Sequence, residues 1–167
     1  ILKLAKTVMK EFVTIETKKA EMDMSRVSQT FYELRESDKL EALCRLIDVE
    51  EDFYGLIFCR TKRDVDMINE KMISRGYSTE AMHGDLSQFQ RERVLQKFRK
   101  KICKMLIVTD VAARGLDIDN LTHVINYALP QDPESYVHRA GRTGRAGKSG
   151  QVVSLITPAE FRKLNFI

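Results

Sequence analysis

From Ser28 onward the sequence alternates short strand-like apolar runs with longer amphipathic stretches, and this alternation restricts the fold more than any other feature. The strand-like runs are Gln29–Leu34, Tyr54–Cys59, Thr79–Met82, Lys104–Val108, His123–Tyr127 and Gln151–Ile156. Helical periodicity occupies Lys39–Ile47, Lys62–Arg75, Gln88–Arg99 and Pro133–Ala140, and a last helix starts from Pro158. Strands that are apolar almost throughout are buried on both faces, and the intervening helices supply the crossovers that parallel strands need. Right-handed crossovers then predict an α/β fold, a doubly wound parallel sheet sandwiched by helices. Ser37 and Asp38 suit an N-cap before Lys39, Pro133 suits a first helical turn, and Gly76 suits a stop after Arg75.

A chain of 167 residues fits one such domain, burying roughly 70% of its unfolded surface. Hydrophobic residues at 43% and charged residues at 31% describe a globular chain and argue against disorder. The longest apolar runs, Met105–Val108 and Gly55–Cys59, are far short of the ~20 residues of a membrane helix. Residues 1–27 stand outside the rhythm. Ile1–Phe12 reads as a helix with Leu2, Ala5, Val8, Met9 and Phe12 on one face, Val13–Ile15 is a short apolar run, and Glu16–Arg26 is polar. The expectation is that residues 1–27 are the tail of a preceding domain plus a linker, cut from a longer chain, and that residues 28–167 form the domain proper. An apolar face on residues 1–15 would then be covered by self-association.

The net charge of +4 is modest, but it is unevenly spread. Arg91, Arg93, Lys97, Arg99, Lys100, Lys101 and Lys104 form one basic block; Arg139, Arg142, Arg145 and Lys148 form another. Each is either a solvated face or a polyanion surface. Cys44, Cys59 and Cys103 are odd in number and lack zinc or redox spacing, so reduced thiols in a cytoplasmic protein are expected, with no metal site.

Two segments imitate nucleotide motifs. Gly147-Lys148-Ser149 resembles the end of a phosphate-binding loop, but the required first glycine falls on Arg142, and a strand follows where a helix is needed. Met105–Val108 followed by Thr109-Asp110 resembles a strand ending in a magnesium-binding aspartate; without a phosphate loop, a structural role at the turn is the simpler one. The chain is therefore not expected to hydrolyse ATP alone.

In an open parallel sheet, ligands gather where loops leave the carboxyl ends of the strands. Arg60-Thr61-Lys62, His83-Gly84-Asp85-Leu86, Thr109–Asp117 and, after a helix, His138–Arg145 fall there. In the last, Arg139, Arg142 and Arg145 are interrupted by Gly141 and Gly144, a pattern that permits close backbone approach and offers guanidinium forks to phosphate oxygens, or else a plain exposed basic loop. Thr109–Asp117 is either a capped short helix or a cradle for phosphate and ribose. Gln88 and Arg91 share a helix face near its start, as a phosphate contact or as a surface pair.

In order and interval, these segments resemble the second half of a DEAD-box RNA helicase. Leu56–Lys62 resembles motif IV, Gln88-Phe89-Gln90-Arg91 the Q-x-x-R element, Thr109–Asp117 motif V, Asn126-Tyr127-Ala128-Leu129-Pro130 the N-Y-x-x-P segment, and His138–Arg145 motif VI. The resemblance covers essentially the whole chain, with residues 1–15 similar to the stretch following the S-A-T motif. Arg60 stands where many relatives carry Asn, Ala128 where Asp is common, and Ala146 where some relatives place an aromatic near adenine.

The resemblance implies a RecA-like C-terminal domain that closes, with an N-terminal RecA-like domain, around Mg-ATP and single-stranded RNA. Arg142 and Arg145 would reach the γ-phosphate, Arg145 as the finger, with His138 in the same catalytic group but coupling the domains rather than moving a proton. Gly115 and Asp117 would stand near the ribose. RNA contact would fall to Arg60, Gly84, Gln88, Arg91 and Thr109, with Arg139 serving RNA and domain coupling. The competing readings are an ATP-independent RNA-binding module, the matching half of a DNA helicase or remodeller, and a non-catalytic scaffold.

Overall fold

A computed structural model describes residues 7–9, 13, 25–116, 118, 120–144 and 148–167. Its centre is a six-stranded sheet of β1 (Val27–Glu33), β2 (Gly55–Cys59), β3 (Thr79–Met82), β4 (Met105–Thr109), β5 (His123–Asn126) and β6 (Gly150–Ile156). All five strand pairings are parallel, in the order β1-β6-β5-β2-β4-β3. The helices are α1 (Lys39–Asp48), α2 (Lys62–Ser74), α3 (Gln88–Arg99), α4 (Asp110–Ala113), α5 (Pro133–Ala140) and α6 (Phe161–Phe166), with 3-10 turns at Glu36–Asp38 and Pro158–Glu160. The expected doubly wound α/β sandwich is the observed one.

The pleat explains why the strand sequences are apolar throughout: alternate residues feed two separate cores. Leu56, Phe58, Leu106, Val108, Val124 and Val152 pack with Val94 and Phe98 of α3 and Ala140 of α5. Ile57, Cys59, Met105, Ile107, Ile125 and Val153 pack on the other face with Leu43 and Ile47 of α1 and with Val65, Ile68 and Met72 of α2. Each valine, leucine, isoleucine, methionine or phenylalanine among them contributes about 1.5–3 kcal/mol by leaving water. β1 differs, for it lies at the edge and only Val27 of its residues is buried. The three cysteines are free and buried, and burial pushes the Cys59 thiol far above its ordinary range.

Helix starts follow their caps. Thr61 and Ser87 each close a capping box, with Asp64 and Gln90 respectively, and Asp132 caps α5 ahead of Pro133. Gly76 ends α2 at φ +88°. The cap expected at Ser37 and Asp38 is not formed. The 3-10 turn Glu36–Asp38 runs directly into α1, so the Asp38 backbone is already helical and its side chain accepts from the Ser37 hydroxyl instead. β1 starts at Val27, two residues before its expected start, and the helix expected from Pro158 begins as a 3-10 turn. Of the apolar segment at residues 1–15, Thr7–Met9 and Val13 are described and exposed; the rest lies outside the described residues. Among the described residues, no helix is long and apolar enough to cross a membrane.

Candidate functional site

The carboxyl ends of β2, β3 and β4 lie side by side, because Cys59 registers with Thr109 and Met82 with Val108. The segments after them, starting at Arg60, His83 and Asp110, therefore form one rim. The chain crosses from β4 past β2 to β5, and where the loops after β4 and β5 diverge a cleft of ≈ 280 Å³ opens. Phe58 lines it together with Ala113, Arg114 and Gly115 after β4 and with Ser135, His138, Arg139 and Arg142 around α5; Asp110 is the carboxylate among the described lining residues.

Arg139 organises this cleft from beneath. Its Nε and Nη2 donate to the two Asp110 carboxylate oxygens at 2.7 and 2.8 Å, and Nη1 donates to Asn126 Oδ1 and the Ala128 carbonyl, both at 2.7 Å. The guanidinium lies over the Phe58 ring, 4.6 Å from its centre. Arg139, expected at RNA and in domain coupling, is 3% exposed, and four of its five N–H donors act inside the protein, joining α5 to α4 and β5. Asp110 is occupied by that pairing. Arg114, His138 and Arg142 are exposed or half-buried, and the two guanidinium groups face a cleft in which the Asp110 carboxylate is already paired, an arrangement suited to a polyanion.

Arg142 follows the end of α5, and its Nη1 donates to the Leu116 carbonyl at 2.7 Å, tying it to the segment that carries Gly115. Gly115 has φ +71°, a left-handed turn that turns the chain out of α4 at low steric cost. His138 and Gly115 are exposed at the cleft. Asp117 and Arg145, the expected ribose and finger residues, lie outside the described residues, as does Ala146.

The other residues expected to touch RNA lie along the rim and at the start of α3. Arg60 is exposed, and its Nη2 donates to Glu160 Oε1 at 3.3 Å. Burial raises the Glu160 carboxyl, but the Thr157 amide and the Lys39 ammonium outweigh it and leave the pKa below its usual range. Gly84 is exposed, with open space where a side chain would stand. Gln88 donates to Glu92 at 3.0 Å on the surface of α3, while the Arg91 guanidinium donates to the Ala112 carbonyl. Thr109 caps α4, accepting from the Ala112 amide at 3.4 Å. The capped short helix, one of two readings of this segment, is thus realised. It does not exclude the other, since Thr109 remains half-exposed at the rim.

Sequence reasoning did not single out Arg114, Ser135 or Phe58 as cleft residues. Arg114 lies within Thr109–Asp117 and could have been found there; Phe58 carries no polar signal at all.

The chain matches the family model described as the helicase conserved C-terminal domain over residues 38–147. It is 46% identical over 167 residues to the DEAD-box ATP-dependent RNA helicase CshA of Geobacillus kaustophilus, covering all of this chain and 36% of that protein. Among solved structures, a DEAD box protein of the hyperthermophile Methanococcus jannaschii superposes with a TM-score of 0.81 at 46% identity, over 99% of this chain and 44% of that one. S. cerevisiae Dbp5 bound to RNA and ADP BeF3 superposes with a TM-score of 0.84 at 32% identity, over 98% and 44%. The chain spans about a third of the length of the curated relatives it matches.

Proposed function

Because the chain belongs to the DEAD-box RNA helicases, as their helicase conserved C-terminal, RecA-like domain, we propose that it is the half of a cytoplasmic ATP-dependent RNA helicase that grips the RNA sugar-phosphate backbone and completes the ATP site. The N-terminal RecA-like domain of the same protein would hold the phosphates and Mg²⁺, the metal supplying Lewis-acid charge stabilisation there. This domain would contribute Arg142 and Arg145 to the γ-phosphate and Gly115 and Asp117 to the ribose. His138 would stand at the junction with the other domain. Local strand separation follows when closure bends one RNA strand, and hydrolysis resets the open state. Alone, the domain would not turn over ATP.

The observation that carries this reading is the cationic cleft itself. Arg142 and His138 border a site whose carboxylate, Asp110, is neutralised by a buried arginine, beside a rim bearing Arg60, Gly84 and Thr109. Fixed guanidinium groups stabilise charge developing on a transferred phosphoryl group without reorganising at the moment of reaction. Backbone contacts at the rim carry no base information, so little sequence preference is expected.

In the full-length enzyme, Arg142→Ala and Arg145→Ala should each lower RNA-stimulated ATP turnover by at least about 100-fold, with circular dichroism unchanged. Turnover within a few-fold of the parent enzyme in both variants would remove the catalytic reading and leave an ATP-independent RNA-binding module.

A further inference from the structure

Two tethers bind the segment 83–86 to α2, and both originate on one face of that helix. Lys62 and Asp66 are four residues apart, hence neighbours on the helix surface. The Lys62 ammonium pairs with Asp85 Oδ2 at 2.6 Å, and Asp66 Oδ1 lies 2.9 Å from Nε2 of His83. The two gripped residues flank Gly84. His83 is buried at the carboxyl end of β3, whereas Gly84 and Asp85 are exposed.

The donors fix the imidazole tautomer. The backbone amide of Asp85 points at His83 Nδ1 at 3.4 Å, and an amide can only donate, so Nδ1 must carry the lone pair. The ring hydrogen is then on Nε2, donated to the Asp66 carboxylate. A bond from the Leu86 amide to the His83 carbonyl, at 3.3 Å, closes the turn. With Nδ1 protonated instead, two hydrogens would face each other and the bond from the Asp85 amide to the ring would be lost. Asp66 thus selects the ring form that accepts from the Asp85 amide.

We propose that Asp66 and His83 are positioning residues for RNA binding: with the Lys62–Asp85 clasp they lock the turn carrying Gly84 onto α2, the helix that follows Arg60. The segments after β2 and β3 then meet the RNA backbone as one preformed unit, without paying to order the turn on binding. The proposal rests on the reading that Gly84 faces RNA.

The test uses this chain, a fluorescein-labelled oligouridylate and four proteins. Asp66→Ala should weaken binding about 3- to 10-fold, the loss expected for one charge-assisted hydrogen bond acting through a turn. Asp66→Asn, whose Oδ1 still accepts from Nε2–H, should stay within about 2-fold of the parent chain. Nitrogen-15 NMR of the RNA-free protein should show His83 protonated at Nε2 in the parent and in Asp66→Asn, with that preference lost in Asp66→Ala. Gly84→Ala, which meets no atom within 4 Å, should fold normally and bind RNA poorly. If Gly84→Ala binds poorly while Asp66→Ala binds like the parent, or if Asn rescues nothing, the positioning role is overturned alone. If Gly84→Ala binds like the parent, the RNA-facing reading of the turn fails, and the positioning role fails with it.

Discussion

A single buried guanidinium marks the difference between reading arginines along a sequence and placing them in space. Arg139, Arg142 and Arg145 recur every third residue and looked like one phosphate-binding row. The helix α5 ends at Ala140, between the first two of them, so Arg139 is directed into the protein while Arg142 lines the cleft. Nothing in the spacing discloses this, because it depends on where the helix stops and on Asp110 and Asn126 waiting inside. Replacing Arg139 with alanine should cost about 3–5 kcal/mol, since the Asp110 charge and two buried acceptors lose their partner. Arg139→Lys should recover less than half of that loss, because an ammonium cannot bridge both Asp110 oxygens while also reaching Asn126 and Ala128. Urea denaturation of the three proteins measures both numbers. A lysine variant as stable as the parent would show that charge alone, not the planar fork, holds α5 to α4.

At the scale of elements, periodicity was the legible part. The bounds of β3, α3 and α5 agree with the sequence to the residue, because a cap, a proline or a change of period marks each end. The 3-10 turn before α1 is too short to display a period, and the four-residue α4 stood only as one of two readings of its segment. Equally hidden was the way the segment after α5 is held. Thr143 makes a parallel bridge to Leu121, with its hydroxyl donating to the Leu121 carbonyl and the Leu121 amide donating to the Arg142 carbonyl at 3.3 Å. Gly150, the first residue of β6, lies so close to this bridge that an added Cβ would stand 2.6 Å from the Gly144 nitrogen. Gly150→Ala must therefore push the Arg142–Gly144 segment outward. It should cost about 1–3 kcal/mol by overpacking and, in the full-length enzyme, lower RNA-stimulated ATP turnover more than RNA affinity. Calorimetric unfolding and the two assays check this, with Gly84→Ala as the comparison that should leave stability unchanged. Parallel losses of turnover and RNA affinity would place the displaced segment at the RNA rim rather than at the nucleotide cleft.

For the whole molecule, the parallel sandwich followed from apolar strands alternating with helices, and the convergence of site segments followed from the rule that parallel strands share one functional end. The sheet order did not, nor did contacts across long separations, such as Glu160 holding both Arg60 and Lys39. The opposite end of the sheet holds another such contact, and it sets how the fold responds to acid. His123 begins β5, stacked on Phe53 at 4.7 Å, with Nδ1 2.8 Å from the Thr122 hydroxyl. Its Nε2 is buried without a hydrogen-bond partner, 3.5 Å from Glu50. Burial lowers the His123 pKa below its ordinary 6.5, and the Glu50 carboxylate offsets this only in part. The unfolded chain therefore takes up a proton near pH 6.5 that the native state still refuses, so stability falls as pH drops from about 6.5 to the lower native value and this slope ends there. The carboxylates act in a separate window with the same direction. Glu160 and Asp132 are held below their ordinary values of 4.5 and 3.8, so their contribution is complete above those values and is lost as pH falls through the lower native ones. Melting temperature measured from pH 8 down to pH 3 should accordingly decline in two stages. His123→Gln, which cannot take up the proton, should abolish the upper stage and keep the lower one; an upper stage that survives this substitution would mean that some other group than His123 limits the fold as pH falls below 6.5.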